Sequence, residues 1–172
     1  MPKSGAMNET ENKYLVNRAE TLAREFLTRR PEVIIHPFDY NDLDFVVTLS
    51  PSTSLKIPGF SPFGVIVWGT NKSVSSKTAA SSFATRQWKN EDDRSKSSHT
   101  YFLPVVVLLY SVKDDVGYYA WISEPQFSND GPPKLIPNEH LDCTLIMRNS
   151  LDNIVQKVAE WYTRLATVIL SA

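Results

Sequence analysis

The sequence contains a single cysteine, Cys143, so no internal disulfide can form and a reducing, cytoplasmic setting is the expectation. Long hydrophobic runs are missing as well. The longest, residues 103–110, is far too short to span a bilayer, and the polar N-terminal stretch lacks the apolar centre of a signal peptide. No membrane partner is expected. Neither sign of charge dominates: 18 Lys and Arg stand against 19 Asp and Glu, a formal net charge of −1. That balance argues against a histone-like, DNA-coating protein but leaves room for a local nucleic-acid groove. His36, His99 and His140 lie far apart, and no Cys/His spacing typical of zinc occurs. The three read as structural histidines, and Cys143 as a small buried hydrophobe. Gly59, Gly64 and Gly69 precede neither a Lys-Ser/Thr pair nor a strong helix, so there is no phosphate-cradling loop. The Ser-rich stretches lack a nucleophile-elbow pattern.

What remains is ordinary globular material. Hydrophobic residues make up 42% of the chain and charged residues 22%, which excludes wholesale disorder, collagen and coiled coil. A chain of this size buries roughly 70% of its unfolded surface and needs no disulfide or metal staple. Residues 1–10 read as a disordered lead and 11–172 as a single domain. Between residues 11 and 30, Leu15, Val16, Ala19, Leu22, Ala23, Phe26 and Leu27 recur at helical spacing. Arg29 and Arg30 suit the C-terminal end of that helix, and Pro31 stops it. Strands are expected at 33–38, 43–49 and 63–68, with a tight turn at FDYND and a loop over 51–59. FGVIVW is nearly all apolar and reads as a central strand. A short helix over 78–88 would place Ala79, Phe83 and Trp88 on one side, followed by a solvated, mobile loop at 90–98. Residues 103–112 form the strongest strand, with 118–122 pairing back as a hairpin. The Pro-rich stretch 123–137 reads as a loop and 141–147 as a last strand. Ser150 caps a final helix over 151–170, whose stripe is Leu151, Ile154, Val155, Val158, Trp161, Tyr162, Leu165 and Val168. This order predicts an α/β domain with one mixed sheet and helices packed on it.

Among the carboxylates, Asp92 and Asp93 read as a solvated charge run, and Asp42, Asp114 and Asp115 as turn residues. Asp44 is different. It begins a strand whose neighbours Leu43, Phe45, Val46 and Val47 are apolar, where a carboxylate is costly unless it meets a cation, a metal or backbone donors. Glu20 adjoins the apolar stripe of the first helix and is spaced to pair with Arg24.

A helix bearing Glu20 (NRAETLA), then Leu43-Asp44 (NDLDFVV), FGVIVWGT, and LPVVVLLY followed by GYYAWI together resemble the PD-(D/E)XK superfamily. The layout is especially similar to a bacterial domain of unknown function assigned to that superfamily, and it covers nearly the whole chain. The resemblance implies a restriction-endonuclease-like three-layer α/β fold, a central mixed sheet flanked by helices. It also implies a site built from the helix Glu, the strand Asp and a third strand reading apolar-Gln/Glu-apolar-Lys. Here that strand departs from the pattern: Ile66 stands where Gln or Glu belongs and Trp68 where Lys belongs. Metal-dependent phosphodiester cleavage needs oxygen ligands and a cation beside the attacking water, and neither residue supplies them. Glu20 and Asp44 remain as half a site, with Lys72 or Lys56 as displaced cations.

Residues 71–100 add a basic strip, in which Lys72, Lys77, Arg86, Lys89, Arg94 and Lys96 outnumber Glu91, Asp92 and Asp93, with Phe83 and Trp88 interleaved. Cations among aromatics can meet phosphate while bases stack. Lys77, Arg86, Trp88 and Lys89 are therefore the candidate binding residues, set against the plainer reading of a polar insert with two core-anchoring aromatics. The expectation is a degenerate, non-catalytic nuclease-like module that needs no cofactor and binds nucleic acid or protein. Its rival is an active Mg²⁺-dependent endonuclease using Glu20, Asp44 and Lys72. The apolar end of the last helix suggests a homodimer.

Overall fold

Asn8 opens the first helix, α1 (Glu9–Leu27), through a capping box with Glu11. The helix thus starts slightly earlier than its apolar stripe announces. The structure, a computed structural model, describes residues 8–40, 42–95, 101–129 and 131–171. Most of the expected disordered lead and part of the expected mobile loop lie outside these. Two strands follow, β1 (Val33–Tyr40) and β2 (Leu43–Leu49), then β3 (Ser61–Thr70), helix α2 (Lys77–Ser95) and β4 (Val105–Ser111). Strand β5 (Val116–Gln126) pairs back on β4. Two short strands, β6 (Lys134–Pro137) and β7 (Thr144–Leu145), precede the long helix α3 (Ser150–Ser171).

The sheet runs in the order β1-β2-β3-β4-β5-β6, with β7 also pairing with β5. All pairs are antiparallel except β3 with β4, which are parallel and joined by the α2 crossover. Every residue of β4 is buried, because it lies mid-sheet with helices over both faces. Alternation then divides the core. Phe45, Val47, Phe63, Val65, Val106 and Leu108 face α1 and α3. Ile66, Trp68, Val105, Val107 and Leu109 face α2. This is a three-layer α/β fold with a mixed central sheet, as expected. Among the described residues no helix is long and apolar enough to cross a membrane.

Several elements depart from the sequence reading. Helix α2 runs through residues expected in a loop, and it buries Ala80 and Ala84 rather than Ala79. Strand β6 lies in the stretch read as loop, while only two residues of 141–147 are strand. Val16, assigned to the stripe of α1, is 46% exposed. The stripe of α3 is buried as far as Trp161 and half-buried at Tyr162 and Leu165, while Val168, Ile169 and Leu170 stand exposed.

The contact of α1 with the sheet depends on Gly69. A Cβ there would lie 2.7 Å from the Leu15 carbonyl oxygen and 3.0 Å from the Ala19 Cβ. Backbone cannot yield as a flexible side chain can. Gly69→Ala is therefore expected to destabilise the fold by about 1–3 kcal/mol, the usual range for overpacking, as read by urea denaturation. An unchanged denaturation midpoint would show that α1 is free to shift.

Candidate functional site

The site implied by the resemblance centres on the place where β2 leaves β3. Their ladder runs from Leu49 opposite Ser61 to Phe45 opposite Val65 and stops there. Leu43 pairs instead with Tyr40 of β1. Its side chain enters the α2-side core, where its Cδ2 lies 2.9 Å from the point a Cβ on Gly64 would occupy. Phe45 turns to the opposite core. Asp44, between them, directs its carboxylate toward β3, and Oδ2 accepts the Val67 backbone N–H at 2.6 Å. The carboxylate thus stands in for a strand carbonyl where the ladder has ended. Of the three partners an apolar strand carboxylate could require, Asp44 has found a backbone donor, a charge-assisted bond of about 1.5–3 kcal/mol.

Glu20 is half-buried on α1, next to Ala19, which packs at Gly69. One turn further on, the Arg24 guanidinium lies 4.5 Å from the centre of the Phe45 ring, so the expected Glu20–Arg24 pair is replaced by a cation–π contact. Helix α1 therefore reaches the residue that follows Asp44. Ile66 and Trp68, 2% and 8% exposed, lie on the other face of the sheet, packed with Val74, Ala80 and Ala84. The sheet separates the helix that carries Glu20 from the two replaced motif positions. Among the described residues, no three His, Cys, Asp or Glu side chains gather as a metal-holding group.

Lys72 follows β3 and is exposed. Its amide donates to Thr70 Oγ1 at 3.1 Å and its carbonyl accepts the Ser111 hydroxyl at 2.9 Å. Asp114 secures the same loop by accepting the Val74 amide at 2.6 Å and the hydroxyls of Ser73 and Ser111. The Val74 amide holds the Asp114 carboxyl below its ordinary range. None of these bonds ties Lys72 to Glu20 or Asp44, and Lys56 is exposed in the loop before β3. Asp42 and Asp115 have φ of 62° and 52°, in keeping with their reading as turn residues.

Of the basic strip, Lys77, Arg86 and Lys89 lie on helix α2, Lys72 precedes it, and Lys96 lies outside the described residues. Trp88 is half-buried and packs with Phe83 on the α2-side core, where it anchors the helix. Lys77 pairs with Asp142 at 3.0 Å, both side chains being largely exposed. Arg86 and Lys89 line a cleft of about 630 Å³ together with Ser82, Asn90 and His140. The far wall is held to α2 by two backbone donors: Leu141 N–H to Thr85 Oγ1 and Cys143 N–H to Ser81 Oγ, each 2.9 Å. His140, read as structural, is exposed at this cleft. No local pattern links it to Arg86, since the two meet only through the fold. Cys143 is buried, which pushes its thiol up to about 11, in line with its reading as a hydrophobe. No protein-family model matches the chain, and neither a curated protein nor a solved structure matches it.

Proposed function

We propose that this chain is a nuclease-like protein without cleavage chemistry, and that it binds nucleic acid along the cleft beside α2. The observation that carries the reading is the burial of Ile66 and Trp68 in the α2-side core, where an active enzyme of the resembled superfamily needs a ligand oxygen and a cation. Asp44 is engaged by a backbone amide. Glu20 and Asp44 offer at most two carboxylates, too few ligands for a good Mg²⁺ site. Arg86 and Lys89 present two exposed cations on one side of α2, a stripe suited to phosphate oxygens.

The test is fluorescence anisotropy with labelled single-stranded DNA, duplex DNA and RNA across a salt series. Binding should weaken as salt rises. Arg86→Ala and Lys89→Ala should each reduce the salt slope by about one ion. Incubation with plasmid and RNA in Mg²⁺ or Mn²⁺ should leave the substrates intact. Cleavage that disappears in Asp44→Ala, or micromolar Mg²⁺ affinity lost in the same variant, would establish the rival Mg²⁺-dependent endonuclease with Glu20, Asp44 and Lys72. Absence of binding to all three nucleic acids at low salt would move the partner to the protein class.

A further inference from the structure

A second cleft, of about 630 Å³, lies where the end of α1 meets the start of α3, and three of its lining residues are arginines: Arg29, Arg30 and Arg148. Two distant stretches of chain bring them together. The charges are not equally committed. Arg30 is clamped: Nε and Nη2 donate to the Glu32 carboxylate at 3.3 and 3.2 Å, and Nη1 donates to Asp152 Oδ1 at 2.9 Å. Glu32 is itself held by the Ser52 and Ser54 hydroxyls, each at 2.9 Å. Arg30 is therefore a fixed wall with little charge to spare. Arg29 lies with its guanidinium 5.5 Å from the centre of the Phe26 ring and has no carboxylate partner among the described residues. Arg148 is exposed and pairs with no described side chain. Asp152 also lines the cleft, so the three arginines and the two carboxylates that hold Arg30 leave a net charge of +1, presented by the Arg29 and Arg148 guanidiniums.

We propose that this cleft binds a phosphomonoester. The Arg29 and Arg148 guanidiniums, which make no ion pair among the described residues, can each take oxygens of one phosphomonoester, which carries a charge of about −1.5 to −2 near neutral pH. The planar forks of arginine match phosphate oxygens in pairs. Asn149 also lines the cleft, and the exposed Met147 adds apolar surface. The volume suits a ligand of mononucleotide size, within the usual span of roughly 300–1,000 Å³ for small-molecule sites. The phosphate could be free, carried by a mononucleotide, or the 5′ end of a strand, and the three sources are separable. The inference does not rest on the α2 cleft or on the absence of cleavage.

Calorimetric titrations test it with inorganic phosphate, a 5′-mononucleotide, and a short oligonucleotide bearing either a 5′-phosphate or a 5′-hydroxyl. At least one phosphomonoester or phosphate itself should bind. If the source is a strand end, the 5′-phosphorylated oligonucleotide should bind about tenfold tighter than its 5′-hydroxyl twin. Arg29→Ala and Arg148→Ala, both at exposed positions, should each weaken binding of the preferred ligand by about tenfold. Arg86→Ala should leave it unchanged, which separates this site from the α2 cleft. No binding by any of the phosphates at millimolar concentration overturns the proposal. So does binding that survives both Arg29→Ala and Arg148→Ala.

Discussion

Replacing Trp68 by alanine is expected to lower the free energy of unfolding by about 3–5 kcal/mol, the usual range for emptying a buried aromatic site. Trp68 is only 8% exposed and belongs to the core cluster that also holds Val74, Leu109 and Tyr118. Its place in the parallel ladder is opposite Leu109, and Ile66 is opposite Val107, so the pair lines the floor beneath α2. Filling the site with an indole is consistent with a cleft that need not stay open for metal and water. Asp44 does not depend on that indole for a donor, since Val67 provides one. The double change Ile66→Glu with Trp68→Lys would put a carboxylate and an ammonium into an apolar layer. It should be less stable than Trp68→Ala and should cleave nothing. Guanidinium denaturation of the two variants, alongside a plasmid assay, decides the matter. A loss below 1 kcal/mol for Trp68→Ala, or a stable double variant that cuts DNA, would mean that the position is not filled core.

The residues that announced their structure are those whose burial is periodic and local. Strand β4 was legible because both its faces are covered, so the sequence is apolar throughout. Helices α1 and α3 were legible from spacings of three and four. Their ends were not, because covering depends on tertiary packing, and Val168, Ile169 and Leu170 stand exposed. Helix α2 was underestimated because it meets the sheet through Ala80 and Ala84, whose small side chains leave a weak apolar signature. Strand β6 is a short edge strand bounded by prolines, and composition alone reads such a segment as loop. For the candidate site, the sequence could say that Asp44 needed a partner. It could not name Val67, 23 residues away, because that bond exists only where the ladder of β2 and β3 ends. The two clefts were invisible for the same reason: His140 reaches Arg86, and Arg148 reaches Arg29, only through the folded chain.

Acid should act on Glu32, whose partners are the nearby Arg30 and the distant Ser52 and Ser54. Glu32 is 6% exposed and receives four side-chain hydrogen bonds, two from Arg30 and one each from Ser52 and Ser54. The Arg30 bonds are the main cause of a carboxyl held at about 2, against an ordinary value of 4.5. Because the folded value is the lower one, the unfolded chain binds the proton more readily. The stabilisation is complete above the unfolded value and is lost as pH falls from about 5 toward 2. Its size is on the order of 2–3 kcal/mol, allowing for partial solvent screening. Glu32→Gln keeps the shape and removes the charge, leaving Arg30 with only the half-exposed Asp152. Because Arg30 keeps Asp152, the variant should lose about the 2–3 kcal/mol that the charged Glu32 contributes at neutral pH. It should also lose less stability than the parent between pH 5 and pH 2. Some acid sensitivity will persist, because Asp114 is also held low by the Val74 amide and is untouched by the change. Urea denaturation at pH 7, 5, 4 and 3 measures both effects. A variant whose stability falls with acid as steeply as the parent's would show that Glu32 is not the group that titrates.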